Sequence, residues 1–124
     1  MGKASRDKGK RGELEARDMV REHWDSPKCV RSAQVSGQFA GDLMYGPHGL
    51  HLEVKRYKRI VSSDFMVQAQ EDQQPGEVPV VLSRQDGRGW DVTFPMDQTR
   101  AFLRLLVYQM YGIDLAHAPT PSDA

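Results

Sequence analysis

Three carboxylates and a lysine are spaced along this chain so that they could meet in one place. Asp42 precedes a predicted strand, Glu53 and Lys55 alternate on the next strand, and Glu13 lies on a predicted helix. Carboxylate oxygens can hold Mg²⁺ while leaving positions for a phosphate oxygen and a water nucleophile. A lysine ammonium can orient that water and offset charge developing on phosphorus. These residues therefore predict metal-dependent phosphodiester hydrolysis.

The strand that carries Glu53 and Lys55 has the clearest pattern in the chain. Six residues, LHLEVK, alternate between apolar and polar side chains, which places Glu53 and Lys55 on one face. Glu53 and Lys55 could also be an ordinary charged pair on the solvent face of a strand, but the preceding Asp42 favours a catalytic site. His51 shares the same face and is interpreted as a bystander.

Glu13 belongs to a helix predicted from about Gly12 to Trp24. At 100° per residue, the apolar positions one, two and three turns later fall within about a sixth of a turn of Glu13. Pro27 lies just beyond the end of this helix, which it cannot continue. Glu13 is therefore expected on the core-facing stripe, whereas Glu15 is expected to be exposed.

The remaining elements predict one compact domain. Their order, helix, three strands, helix, two strands and helix, indicates an α/β fold with a mixed central β-sheet of about five strands flanked by helices. Residues 12–111 are the expected domain, residues 1–11 a flexible basic arm or the frayed start of a helix, and residues 112–124 a disordered tail. The predicted strands are 30–35, one starting near Asp42, 50–55, 78–83 and 90–94, and the later helices are Ser62 or Ser63 to Gln74 and Asp97 to Tyr111.

The net charge of zero hides a polarised chain. Residues 1–62 hold 13 Lys and Arg against 8 Asp and Glu, while residues 63–124 hold 4 against 9. A basic half suits phosphate binding, because cationic side chains gain affinity by displacing counterions from nucleic acid. The candidate DNA-binding residues from this pattern are Lys8, Lys10 and Arg11 near the start of the chain, and Arg56, Lys58 and Arg59 directly after the predicted strand that carries Glu53 and Lys55.

Several classes of protein are disfavoured by the sequence. It has no long apolar run and no apolar segment after its basic start, so a membrane span and a secretory signal are not expected and a cytoplasmic location is. The single cysteine, Cys29, cannot form an internal disulfide, and no CxxC or HxxxH spacing suggests zinc. Recognisable major-groove readers, such as a helix-turn-helix, are also missing.

The last predicted helix is apolar on nearly every side. A small domain can bury only one stripe of a surface helix, so another part of this helix is expected to meet a second subunit. The sequence thus favours a homodimer that involves its C-terminal helix.

The acid pattern resembles the PD-(D/E)XK nuclease superfamily, in which an acid at a strand start is followed by (D/E)-x-K on the next strand. Here the motif is Gly41-Asp42, a gap of ten residues, then Glu53-Val54-Lys55. Gly41 replaces the signature proline, which supplies no ligand atom. More narrowly, KGxxxE ending at Glu13, Val30-Arg31, Ser36-Gly37, Gly-Asp and Glu-Val-Lys resemble the Holliday-junction resolvases of archaea, their viruses and phages.

This resemblance implies a restriction-endonuclease-like core and a two-fold dimer that nicks four-way DNA junctions with Mg²⁺ or Mn²⁺. It implies that Asp42, Glu53 and Glu13 hold the metal, that Lys55 completes the catalytic set, and that Arg31 and Ser36 support DNA contact or catalysis. Gln68 matches a glutamine of some phage-type relatives and is a candidate accessory residue. The alternatives are another nuclease of the superfamily, such as a nickase or restriction-like enzyme, and a non-catalytic DNA-binding module.

Overall fold

The computed structural model describes residues 3–32, 41–57 and 64–117. It contains a five-stranded mixed sheet flanked by three helices, which confirms the predicted α/β fold. In chain order the elements are α1 (Lys3–His23), β1 (Val30–Arg31), β2 (Leu43–Met44), β3 (Leu50–Tyr57), α2 (Asp64–Asp72), β4 (Val78–Gln85), β5 (Trp90–Thr93) and α3 (Thr99–Tyr111), with short 3-10 turns at Met96–Gln98 and Leu115–His117.

The sheet follows chain order, β1-β2-β3-β4-β5. β3 and β4 are parallel and pair over eight residues from Leu50 opposite Val78 to Tyr57 opposite Gln85, while the other neighbours are antiparallel. A parallel pair needs a crossover, and α2 lies within it. Gly87, with φ of 83°, turns the chain between β4 and β5 as the glycine-rich sequence predicted.

The hydrophobic core lies on one face of the sheet. The apolar residues of β3 and β4 pack there against the inner stripe of α1 and against Phe102 of α3. Phe102 stacks on Phe94 with ring centroids 4.1 Å apart and meets Trp24 edge-on at 6.1 Å. The buried core residues are Ala16, Val20, Cys29, Leu43, Leu50, Leu52, Val54, Val78, Val80, Leu82 and Phe102.

The opposite face of β3 carries the polar residues that the alternation predicted, and α2 lies near them. Lys55 donates a hydrogen bond to Gln68 of α2 at 3.1 Å, and Ala69 on the same helix is buried. The sheet therefore holds its core on one side and presents the Glu53 side of β3 on the other.

Two predicted boundaries differ from the structure. α1 begins at Lys3, so residues 3–11 belong to the helix, which was one of the two structures expected for this segment. This start is tied to the sheet, because Lys8 donates to Asp86 at 2.9 Å and Gly12 packs against Arg56. In the predicted tail, residues 115–117 form a 3-10 turn, and 118–124 lie outside the described residues. Of the predicted strand 30–35, residues 33–35 also lie outside them.

Candidate active site

Asp42 is fixed by its neighbours on both sides. Its backbone N–H donates to the carbonyl of Leu52 at 2.8 Å, and its carbonyl accepts from Ser32 N–H at 3.0 Å. Its side-chain Oδ2 accepts the backbone N–H of Val54 at 2.8 Å. Two of these hydrogen bonds join Asp42 to β3, and the one from Val54 N–H holds its carboxyl there, at the level of Glu53.

The packing around Gly41 explains why a glycine precedes Asp42. A Cβ at that position would collide with the backbone carbonyl oxygen of Leu52, and Ser32 Oγ also donates to the Gly41 carbonyl. The close approach of the two backbones needs a residue without a side chain. The local packing therefore accounts for a glycine at the position where the PD-(D/E)XK signature has proline.

Asp42 and Glu53 form a carboxyl pair in which each group shifts the pKa of the other. Burial is the main cause that raises the pKa of Asp42 to about 7, and a hydrogen bond to Glu53 raises it further, against the lowering effect of the Val54 N–H. Burial also acts to raise the pKa of Glu53, but hydrogen bonds with His51 and Asp42 outweigh it and lower that pKa. Near neutral pH Asp42 therefore shares its proton with an ionised Glu53.

The donor set of this pair fits a divalent cation. Two carboxyls that compete for one proton in a partly buried site are relieved when a cation lies between them. Across the described residues no three His, Cys, Asp or Glu side chains gather as a metal-holding group. Mg²⁺ commonly takes only one or two protein carboxylates and completes its shell with water, so Asp42 and Glu53 suffice as its protein ligands.

Glu13 lies near the pair but is held by a different partner. Its Oε1 accepts from Arg31 Nε at 3.1 Å, and its charge contributes to the raised pKa of Asp42. The sequence predicted Glu13 as a third metal ligand, and the structure instead brings it together with Arg31. Both residues were predicted to act in the site, so their proximity to Asp42 keeps them candidates for it.

Lys55 follows Glu53 on the same face of β3, and it is half-buried. Its Nζ donates to Gln68 Oε1 at 3.1 Å. Gln68 was named from the sequence as a candidate accessory residue, and the structure places it on α2 beside the lysine. A lysine held in this way is restrained close enough to Glu53 for its charge to lower the pKa of that carboxyl.

His51 and Glu77 are the residues that the sequence interpretation missed. His51, expected as a bystander, is 2% exposed, with Nε2 2.9 Å from Glu53 Oε1 and Nδ1 3.5 Å from Glu77 Oε1. The hydrogen bond to Glu53 is the main cause that raises the pKa of His51, against the effect of burial. The register of β3 with β4 brings Glu77 to His51, and no sequence pattern specifies that register.

Three of the candidate DNA-binding residues form ion pairs within the protein. Lys8 pairs with Asp86, Arg31 with Glu13, and Arg56 with both Glu15 and Asp86. Glu15 is therefore not a freely exposed helix residue, because it also accepts from Arg84 at 3.0 Å. Lys10 and Arg11 are exposed on α1, whereas Ser36, Lys58 and Arg59 lie outside the described residues.

Comparisons with protein-family models, with curated proteins and with solved structures gave no match to this chain. Within the described part of the chain, none of the helices is both long and apolar enough to span a membrane. The geometry of the carboxyl pair is the observation from which a function can be inferred.

Proposed function

We propose that this protein is a metal-dependent DNA endonuclease of the PD-(D/E)XK type that resolves four-way junctions. The observation that carries the proposal is the carboxyl pair: hydrogen bonds to Leu52 and Val54 hold Asp42 beside Glu53, and Lys55 lies two residues further along the same strand face. A buried pair of acids beside a lysine is costly as a purely structural feature. The same group of charges is useful in an active site, where negative charge that develops on a phosphate must be neutralised during the reaction.

The chain's own residues supply most of the arrangement that such a reaction needs. Asp42 and Glu53 would hold Mg²⁺ or Mn²⁺, which supplies electrophilic activation of the phosphate when bound. Val54 N–H and His51 Nε2 fix the two carboxyls, so little reorganisation is needed. Lys55 orients the attacking water, whose oxygen forms the new bond to phosphorus as the bond to the leaving sugar oxygen breaks.

The proposed junction specificity needs two such sites at a fixed separation, which a two-fold dimer provides. Apolar side chains that remain exposed on α3 and directly after it support this part of the proposal. Large apolar side chains left exposed in one short segment are typical of protein interfaces. These residues are Leu103, Tyr108, Tyr111, Ile113 and Leu115.

Binding to branched DNA is proposed to use charge rather than base reading. Lys10 and Arg11 project from the first half of α1, in the basic part of the chain. Arg56 and Lys8 lie close by, although acids already hold them. Phosphate contacts from such residues position DNA without selecting its sequence. We place this activity in the cytoplasm of a prokaryotic or phage-infected cell, in DNA recombination or repair.

The test is cleavage of labelled four-way junction, linear duplex, single-stranded and flap DNA, each with Mg²⁺ and with EDTA. Paired nicks in the junction that require metal are expected, and both Asp42→Ala and Glu53→Ala should abolish them while retaining junction binding. Equal cutting of linear duplex would move the function to another nuclease of the same type. Binding without any metal-dependent cutting would leave a DNA-binding module.

A further inference from the structure

A cavity of about 610 Å³ adjoins the carboxyl pair. Gly41 and His51 are part of its wall, and they neighbour Asp42 and contact Glu53, respectively. Its volume lies within the range of pockets that bind small organic groups. A phosphate held at the carboxyl pair would therefore place its attached nucleoside within reach of this cavity.

Tyr45 is the aromatic residue of the cavity wall. It is 59% exposed and has φ of 61°, a left-handed conformation that non-glycine side chains rarely adopt. The turn that holds it is anchored, because Pro47 is fully buried and its carbonyl accepts from Leu50 N–H at 3.2 Å. An unfavourable conformation that the surrounding structure maintains is a common feature of functional sites.

The polar side chains of the wall indicate which group the cavity accepts. Glu77 lines it with a carboxylate whose side chain is 29% exposed, and an ionised carboxylate accepts hydrogen bonds but donates none. Lys28 contributes a cation to the same wall, and the Glu77 carboxylate, which already accepts from Gln74 N–H at 2.7 Å, has acceptor capacity left for an amino group. The exposed ring of Tyr45 in the same cavity wall offers a stacking surface to a flat ligand.

We propose that this cavity holds one unstacked nucleobase next to the cleaved phosphate, with Tyr45 stacked on the base and Glu77 accepting from its exocyclic amino group. The inference rests on the proposed function, because the carboxyl pair locates the phosphate. Aromatic stacking tolerates every base, whereas the carboxylate favours cytosine or adenine over thymine, which has no exocyclic amine.

Two variants separate the ring of Tyr45 from the fold. Tyr45→Asn removes the ring and retains the turn, since asparagine adopts the left-handed conformation more readily than tyrosine. Tyr45→Phe retains the ring. Thermal unfolding of both should match the wild type, which makes a change in DNA binding attributable to the ring.

The experiment measures dissociation constants with Ca²⁺ in place of Mg²⁺, so that a cation can occupy the carboxyl pair, for four-way junctions that carry a single abasic site at each position near the branch point. One position should weaken wild-type and Tyr45→Phe binding by roughly 5- to 150-fold, the range for loss of one stacked base. Tyr45→Asn should bind all these junctions equally and weakly. At that position cytosine should bind more tightly than thymine.

The outcomes distinguish this inference from the proposed function. Equal wild-type binding to every abasic junction, or the same position dependence in Tyr45→Asn, would overturn the nucleobase site even if the protein cuts junctions. Equal binding of cytosine and thymine would overturn the role of Glu77. A position-dependent, Tyr45-dependent affinity in a protein that never cuts would uphold the site and refute the nuclease, and a failure to bind DNA would refute both.

Discussion

The imidazole of His51 is 2.9 Å from the Glu53 carboxylate, and both side chains are buried. On its other side, Nδ1 of the same ring is 3.5 Å from Glu77. Two acidic partners fix the orientation of the imidazole and the direction in which its N–H donates, as carboxylate–histidine contacts do around many metal centres. The orientation of the Glu53 carboxylate therefore depends on His51.

Replacing His51 should reduce metal-dependent cleavage more than it reduces the stability of the fold. His51→Leu removes the donor to Glu53, and we expect cleavage to fall roughly 10- to 100-fold and half-saturation to need more Mg²⁺. His51→Gln keeps an N–H donor at a similar distance and should retain more activity. Cleavage rates over a Mg²⁺ titration measure the activity and the Mg²⁺ requirement of each variant, and thermal unfolding is the control for folding. Equal losses in the two variants would assign His51 to packing alone.

Asp42 should destabilise the metal-free protein at neutral and higher pH. Its pKa is raised from 3.8 to about 7 in the folded state, mainly by burial. Its stabilising contribution is therefore complete below about pH 4 and is lost as the pH rises through 7. Asp42→Asn cannot ionise, so it should unfold at a higher temperature than the wild type at pH 8, by about 4 °C for each kcal/mol. This difference should disappear near pH 4.

Thermal unfolding in EDTA between pH 4 and pH 8 tests this prediction. Asp91→Asn, on the exposed strand β5, is the control for removal of a surface carboxylate. Added Mg²⁺ should stabilise the wild type at pH 8 and have little effect on Asp42→Asn, because ligands stabilise the state that binds them. A variant less stable than the wild type at pH 8 would contradict the buried carboxyl pair.

Gly41 should tolerate no side chain. In Gly41→Ala the new methyl group meets the Leu52 carbonyl, so the backbone must shift and the 2.8 Å bond from Asp42 N–H to that carbonyl is strained. We expect a loss of about 1–3 kcal/mol in the free energy of unfolding, typical of overpacking, together with reduced cleavage. Gly89→Ala, which meets open space, is the matched control in urea denaturation. Wild-type stability of Gly41→Ala would disprove the close approach.

Local sequence patterns predicted the elements but not the contacts between them. Strict alternation identified β3 and the shared face of Glu53 and Lys55, because a strand exposes alternate residues to opposite sides. The link from His51 to Glu77 depends on the parallel register of β3 and β4, which a crossover sets at long range. The ion pairs of Arg56 with Glu15 and Asp86 join residues far apart in the chain, so charge clustering alone did not predict them.

Lys10 and Arg11 should contribute to DNA affinity by neutralising phosphates. Both are exposed on α1, and the double change Lys10→Ala/Arg11→Ala keeps good helix formers in place. The slope of log affinity against log salt concentration should decrease by about 0.9 for each phosphate that the variant no longer neutralises. Arg100→Ala, from exposed α3 in the acidic half, is the control. An unchanged slope in fluorescence anisotropy titrations would exclude α1 from the DNA interface.

The exposed apolar side of α3 should form the dimer interface. Leu103 is 45% exposed on this helix, and Leu103→Glu would place a charge in a desolvated contact, which strongly disfavours association. Val92→Glu on β5 is a matched control, since Val92 is also 45% exposed. Sedimentation velocity should find a monomer for Leu103→Glu and a dimer for the wild type and Val92→Glu. On four-way junctions the monomer should give single, unpaired nicks, because two linked sites are needed for paired cutting. Paired nicks from a dimeric Leu103→Glu variant would move the interface to another surface.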